Sequence, residues 1–206
     1  MKELKAEVLK LKQNGACKKR KLPYIVINSN VPTFDANYIT THVYVKNAEL
    51  DALGRCGKAY ACLGQDILPD LTRKSIGIVE PSGWHSAKYE NVPGKYLFNR
   101  CHLIGYQLSG INADKCNLIT GTRYMNIEGM LPWENMVKQY ICKTGNHVMY
   151  QVTPVFVGDE LVCRGVQIEA LSVETDEISF NVFCFNVQPG IEIDYRTGES
   201  TLIGIE

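Results

Sequence analysis

The sequence predicts an α+β domain: an antiparallel sheet core with one strand-loop-strand unit packed on a helix. Three observations lead there. Short runs of β-branched and aromatic residues bounded by Gly, Pro, Asn or Asp recur along the chain. The last three of them are separated only by turn or acidic segments, GDE and ETDE, which favours antiparallel pairing. From Leu131 onward, by contrast, apolar residues fall at helical spacing behind a proline. No repeat, low-complexity block or linker intervenes, so we expect a leader over 1–22 and one domain over 23–206.

The leader reads as a short amphipathic helix ending near Asn14-Gly15, followed by the basic run Lys18-Lys19-Arg20-Lys21. Tyr24 to Asn28 and Ile39 to Val45 are expected as two strands of an opening meander. Leu50 to Leu63 is rich in Gly, Ala and Cys and reads as a close-packed connector with a short helix. Thr72 to Val79 looks like another strand, and Pro81-Ser82-Gly83 is turn punctuation before Trp84-His85. Tyr96 to Phe98 is β-prone and runs into Asn99-Arg100-Cys101-His102, with a second short strand over Asn117 to Thr120. Pro132 suits the first turn of a helix whose apolar positions are Met136, Val137, Tyr140 and Ile141. Strands follow over His147 to Val157, Leu161 to Ala170 and Ile178 to Val187, and Pro189-Gly190 closes the sheet.

Composition narrows the function classes. With 206 residues, 45% of them hydrophobic, the chain should bury roughly 70% of its unfolded surface without needing staples. The longest apolar runs fall far short of the roughly 20 residues that cross a bilayer. Lys+Arg and Asp+Glu both number 22, so no global field recommends a polyanion, and any such site must be local. The N-terminus has no apolar h-region and, as written, encodes no secretory signal. Eight cysteines show no CxxC pair and no zinc spacing; several lie in strand-like runs (NVFCFNV, YACL), which favours reduced, packed thiols, with a Cys56–Cys62 disulfide left open.

The informative stretch is 96–144: Asn99-Arg100-Cys101-His102, then Asn117, then Asn126 nine positions later and Glu134 eight beyond that. This ordered set resembles the DNA/RNA non-specific endonuclease family, the ββα-metal or His-Me finger nucleases, in its streptodornase-like branch. LDALGR at 50–55, PSGWH at 81–85 and FNVQPGIEIDYRTG at 185–198 extend the likeness over most of the chain after about residue 22. The chain departs from the family's Asp-Arg-Gly-His motif at Asn99, which lacks a carboxylate, and at Cys101, which adds a side chain.

The resemblance implies an endonuclease, indifferent to sequence, that hydrolyses phosphodiester bonds of DNA, with RNA as a further substrate, to 5′-phosphate products. His102 is the expected general base, since imidazole titrates near 6.5 and accepts a proton at neutral pH. Asn126 is the expected ligand of Mg²⁺ or Mn²⁺, a hard ion that keeps most of its waters. Glu134 would hold those waters from the helix, and Asn117 would fix the hairpin or the histidine. Arg100 would pair with phosphate through its guanidinium fork. Contacts to the backbone carry no sequence information, which accords with low specificity. The resemblance also favours a secreted or effector-type protein, and leaves an inhibitor or immunity partner open.

Other residues have a bland reading beside the sharp one. His42 and His147 lie in strand-like runs and read as structural. Trp84, with His85 beside it, and Lys88 are surface residues by default and the lining of a nucleic-acid groove at best; Arg73 and Lys74 are surface charges or phosphate contacts. Glu128 offers a rival carboxylate to Glu134, but Gly129 leaves its direction open. Two other classes compete with the metal nuclease: a nucleic-acid-binding module of the same fold weakened at Asn99 and Cys101, and a thiol enzyme using Cys101 with His102.

Overall fold

Short β-prone runs, the three longest of them buried at almost every position, build one six-stranded antiparallel sheet. A computed structural model describes residues 22–70 and 74–203. The strands are β1 (Tyr24–Val26), β2 (Tyr44–Asn47), β3 (Ala59–Leu63), β4 (Phe98–His102), β5 (Leu118–Thr122), β6 (Val148–Val155), β7 (Gly165–Ser172), β8 (Ser179–Phe185), β9 (Ile191–Ile193) and β10 (Ser200–Leu202). The main sheet runs β1-β8-β7-β6-β3-β2, while β4-β5 and β9-β10 form separate two-stranded units. Helix α1 is the single turn Tyr106–Ser109, and α2 is Leu131–Thr144, preceded by a π-turn over Met125–Met130.

Period-two alternation gives the sheet two unlike faces. Ala59, Ala61, Leu63, Tyr150, Val152, Ile168, Ala170, Phe180 and Val182 point inward into the main core. There they meet Val137, Tyr140 and Ile141 of α2 and Cys101 and Ile119 of the β4-β5 hairpin. Residues one step out of phase, Tyr60 on β3 and its partner Gln151 on β6, project from the opposite face.

Several expectations are corrected. β1 and β2 lie at opposite edges of the sheet, so they form no meander: β1 pairs with β8 and β2 with β3. The 50–63 stretch ends in strand β3, an interior strand between β2 and β6, where the buried Ala59 and Ala61 leave room for α2 to pack. Residues 74–79 form a loop and turn rather than a strand; Thr72 lies outside the described residues, as do the leader helix and the basic run. Pro189-Gly190 leads into the separate β9-β10 ribbon and does not close the main sheet. His42 is exposed in the turn before β2, not in a strand. The seven cysteines among the described residues, including Cys56 and Cys62, are free thiols.

The C-terminal segment after β8 anchors the hairpin. Asn186, fully buried, accepts a hydrogen bond from the Thr122 amide (2.7 Å) and donates to the carbonyls of Thr120 (3.0 Å) and Cys163 (2.9 Å). The Tyr195 hydroxyl donates to the Asn186 carbonyl at 2.6 Å, and Gln188 Oε1 accepts from the Tyr124 amide at 3.1 Å. One short stretch therefore satisfies backbone groups of β5 and of the entry to the π-turn that no neighbouring strand covers.

Candidate active site

His102 ends β4, opposite Leu118 on β5, and is 6% exposed. Its Nε2 lies 2.7 Å from the backbone carbonyl of Asn112. A carbonyl can only accept, so Nε2 carries the proton and, in the neutral ring, Nδ1 keeps the basic lone pair. Asn112 is held in turn, since its Nδ2 donates to the Lys74 carbonyl at 2.9 Å.

Asn117 is wholly buried and brackets the backbone two residues beyond the histidine. Its Oδ1 accepts from the Ile104 amide (2.9 Å) and its Nδ2 donates to the Ile104 carbonyl (3.0 Å). Those two bonds fix the chain direction as it leaves β4 and so fix where His102 sits. The Glu134 carboxylate, 8% exposed, packs on the next residue: a Cβ built on Gly105 would come within 2.6 Å of Oε2. Gln107 Nε2 donates to Glu134 Oε2 at 3.3 Å and to Asn135 Oδ1 at 3.0 Å, tying α1 to α2. Burial pushes the Tyr150 phenol well above its ordinary value, and the Glu134 charge beneath the helix adds to the effect.

Asn126 sits in the π-turn, half-buried between Met125 below and the exposed Ile127 and Glu128. The Leu131 amide donates to the Asn126 carbonyl, an i to i+5 bond that inserts one extra residue into the helix. Eight positions from Asn126 to Glu134 then behave as seven, two whole turns, placing both on one side of the helix about 10 Å apart along its axis. Without the extra residue Glu134 would be rotated away by roughly 80°. Glu128 is exposed and offers no comparable position.

Arg100 is engaged with its neighbours. Its guanidinium lies 4.0 Å over the Trp84 ring, Nη2 donates to the Gly77 carbonyl at 3.0 Å and Nε to that of Val79. It thereby holds the 77–79 loop, whose other end is tied to Asn112 through Lys74. Lys88 sits 4.7 Å over the Tyr96 ring, and the His85 ring meets the Thr197 carbonyl at 3.0 Å. Lys74 is exposed, and Arg73 lies outside the described residues. His147 pairs with Glu174 at 2.6 Å. Cys101 is 1% exposed, with its Sγ against the Gly121 backbone and the main core. Asn99 is half-buried opposite Gly121.

The contacts of Asn112, Gly105 and Gln107 were missed from the sequence. Asn112 acts through a main-chain oxygen, which no side-chain type signals. Gly105, directly after the Cys-His-Leu-Ile run, was the one available hint of a close approach.

The donor set suits a hydrated hard cation. Among the described residues no three His, Cys, Asp or Glu side chains converge as a metal cage. An amide oxygen at Asn126 and a buried carboxylate at Glu134 fit an ion held by few protein groups and mostly by water.

The family model for DNA/RNA non-specific endonuclease matches residues 37–174, which takes in β2 through β7 and every residue of this site. The chain belongs to that family. A curated deoxyribonuclease of Streptococcus dysgalactiae subsp. equisimilis is 35% identical over 108 residues, covering 50% of this chain and 32% of the relative. The match thus spans about a third of that relative's length. Among solved structures, NucA from Streptococcus agalactiae with magnesium bound superposes with a TM-score of 0.77 at 27% identity, covering 93% of this chain and 95% of the other. The Sda1 nuclease with bound zinc gives 0.75 at 26% identity, covering 95% and 99%. These likenesses place the chain within the streptodornase-like branch of that family and its hairpin-plus-helix unit within the ββα-metal fold.

Proposed function

We propose that this chain is a metal-dependent endonuclease that hydrolyses DNA without sequence preference, with RNA as a second substrate, leaving the phosphate on the 5′ side. One observation carries the proposal. A buried imidazole on the hairpin has its Nε2 on a main-chain carbonyl, which leaves Nδ1 as the basic nitrogen, while the i to i+5 bond of the π-turn shortens the helical path from Asn126 to the buried Glu134 to about two whole turns. The divalent ions carried by the streptococcal NucA and Sda1 structures support a cation here.

His102 Nδ1 takes the proton from the attacking water as the water oxygen bonds to phosphorus. The bond to the 3′ oxygen then breaks, that oxygen keeps the electron pair and takes up a proton from solvent to leave as a hydroxyl, and His102 returns its proton to solvent. Asn126 would hold Mg²⁺ or Mn²⁺, which supplies Lewis acidity at the phosphoryl and departing oxygens. Glu134, kept in place by Gly105 and Gln107, would orient water around such an ion, and Asn117 keeps the base in line by fixing the backbone behind it. Arg100 keeps the 77–79 loop against the hairpin and presents its positive charge to the phosphate side. Cys101 points into the core and so keeps its side chain out of this machinery. That favours activity over a binding module that has lost it, and over a thiol enzyme.

The test is cleavage of plasmid DNA in Mg²⁺ with and without EDTA. The proposal expects chelator-sensitive nicking and its loss in His102→Ala; no chelator-sensitive cleavage between pH 5 and 9 would reject it.

A further inference from the structure

The face of the main sheet turned away from the hairpin and α2 carries a groove of about 680 Å³. Its floor is Tyr44 and Lys46 on β2, Tyr60 on β3, and Met149 and Gln151 on β6. Its wall is the 33–40 segment, which is built in at both ends. Glu169, 2% exposed, accepts from the Thr33 amide (2.8 Å), the Thr33 hydroxyl (2.7 Å), Gln151 Nε2 (2.7 Å) and Asn181 Nδ2 (3.2 Å). At the other end the Cys62 thiol donates to the Thr40 carbonyl at 3.0 Å. Four donors on one buried carboxylate make the wall a fixed part of the fold and not a loose flap.

The lining has a particular chemistry. Tyr38 is 72% exposed and Tyr60 is 37% exposed, both large aromatic faces that the fold leaves in water. Exposed Lys46 and Lys58 line the same groove; Lys46 Nζ lies 5.6 Å over the Tyr44 ring, and no ion pair among the described residues engages either lysine. The one carboxylate in the lining, Asp35, already accepts from the Asn37 amide and side chain. Flat aromatic faces beside cations that no carboxylate neutralises suit bases flanked by phosphates, whereas a neutral sugar would find no use for the two lysines. The volume falls within the roughly 300–1,000 Å³ of small-ligand sites, enough for about one or two splayed nucleotides and too small for a duplex.

We infer that this groove is a second nucleic-acid site, which grips a single-stranded stretch of the substrate by stacking bases on Tyr38 and Tyr60 and pairing phosphates with Lys46 and Lys58, remote from the hydrolytic centre. The inference rests on the nuclease reading for the identity of the ligand, not for the existence of the site. Bound there, single-stranded substrate is held on the protein between cuts, so the groove acts on affinity and leaves the chemical step alone.

The test separates the two readings. In EDTA, so that nothing is cut, a 5-iodouracil-substituted oligonucleotide of about four nucleotides is photo-crosslinked to the whole chain and the adducts are mapped by mass spectrometry. The inference predicts adducts at Tyr38 or Tyr60 that disappear in a Lys46→Ala/Lys58→Ala variant. Tyr38→Ala/Tyr60→Ala should weaken binding of a single-stranded oligonucleotide at least about fivefold while leaving duplex binding unchanged. Each lysine removed should flatten the salt dependence of single-strand binding by roughly 0.7 in log–log slope. In cleavage of long single strands the same tyrosine variant should raise KM at constant kcat. Adducts found only on the hairpin-and-helix unit, unchanged single-strand affinity in the tyrosine variant, or a groove that takes a neutral oligosaccharide in preference would each overturn the inference. Adducts at Tyr38 in a wild-type protein that cuts nothing would uphold the groove and count against the catalytic reading alone.

Discussion

Replacing Asn117 by alanine removes two hydrogen bonds and nothing that touches substrate. The Ile104 amide and carbonyl would both lose their partners at a residue with no solvent exposure, so water cannot step in without opening the core. An unsatisfied buried donor or acceptor costs about 1–3 kcal/mol, so Asn117→Ala, which orphans one of each, should lose roughly 2–6 kcal/mol. Asn117→Asp keeps an oxygen for the amide but sets a second acceptor, and at neutral pH a buried charge, against the carbonyl, so it should be destabilised at least as much as the alanine variant. Urea unfolding followed by tryptophan fluorescence measures this as a lower midpoint at constant slope. Because His102 lies two residues before Ile104, kcat should fall in parallel under conditions where the variant is still folded. An alanine variant that loses less than about 0.5 kcal/mol, or an aspartate variant as stable as the parent, would refute the bracketing role of Asn117.

Gly105→Ala is compatible with the backbone (φ −55°, ψ 143°), but its new methyl would press on Glu134 Oε2; cleavage should fall roughly 10–100-fold with the unfolding midpoint little changed. Burial tends to raise the Glu174 pKa, but hydrogen bonds from the His147 ring and amide outweigh it and leave the carboxyl below the ordinary 4.5. Its stabilisation is therefore present above the unfolded pKa and is lost as pH falls through the folded value. Glu174→Gln should be less stable than the parent near neutrality and equal to it in strong acid, by thermal melts across pH. Burial pushes the Cys56 and Cys163 thiols up to about 12, whereas Cys142 is exposed. Iodoacetamide at neutral pH should therefore label Cys142 rapidly, and Cys56 and Cys163 only after unfolding, by peptide mass mapping.

The sequence exposed what depends on local pattern and concealed what depends on tertiary contact. The helix from Leu131 was legible because proline can start a helix and the apolar spacing that follows has only one regular solution. The three C-terminal strands were legible because turn residues frame each of them. β3 was obscured because Ala59 and Ala61 are small residues buried in the core that α2 shares, while Cys62 faces the other way and bonds the Thr40 carbonyl; none of the three carries a β-prone side chain. The 74–79 loop carries β-prone letters, but its carbonyls are consumed by Arg100 and Asn112 and not by a ladder. The π-turn has no side-chain signature: only the backbone shows why a spacing of eight serves where seven would be the helical repeat. The three segments outside the motif that carried the resemblance turn out to be its scaffold. Arg55 bonds the carbonyls of Gly158 and Glu160, Ser82 links Leu161 to Thr120, and Asn186 clamps β5.

The central claim is that the imidazole at position 102 takes the proton from the attacking water. Adding free imidazole to a His102→Gly variant addresses it most directly, because the small molecule replaces the lost base without altering the rest of the site. The account predicts that cleavage in Mg²⁺ is restored in proportion to the concentration of neutral imidazole and disappears with EDTA. A folded His102→Gly variant that cleaves as fast as the parent without imidazole, or that imidazole fails to revive, would contradict it.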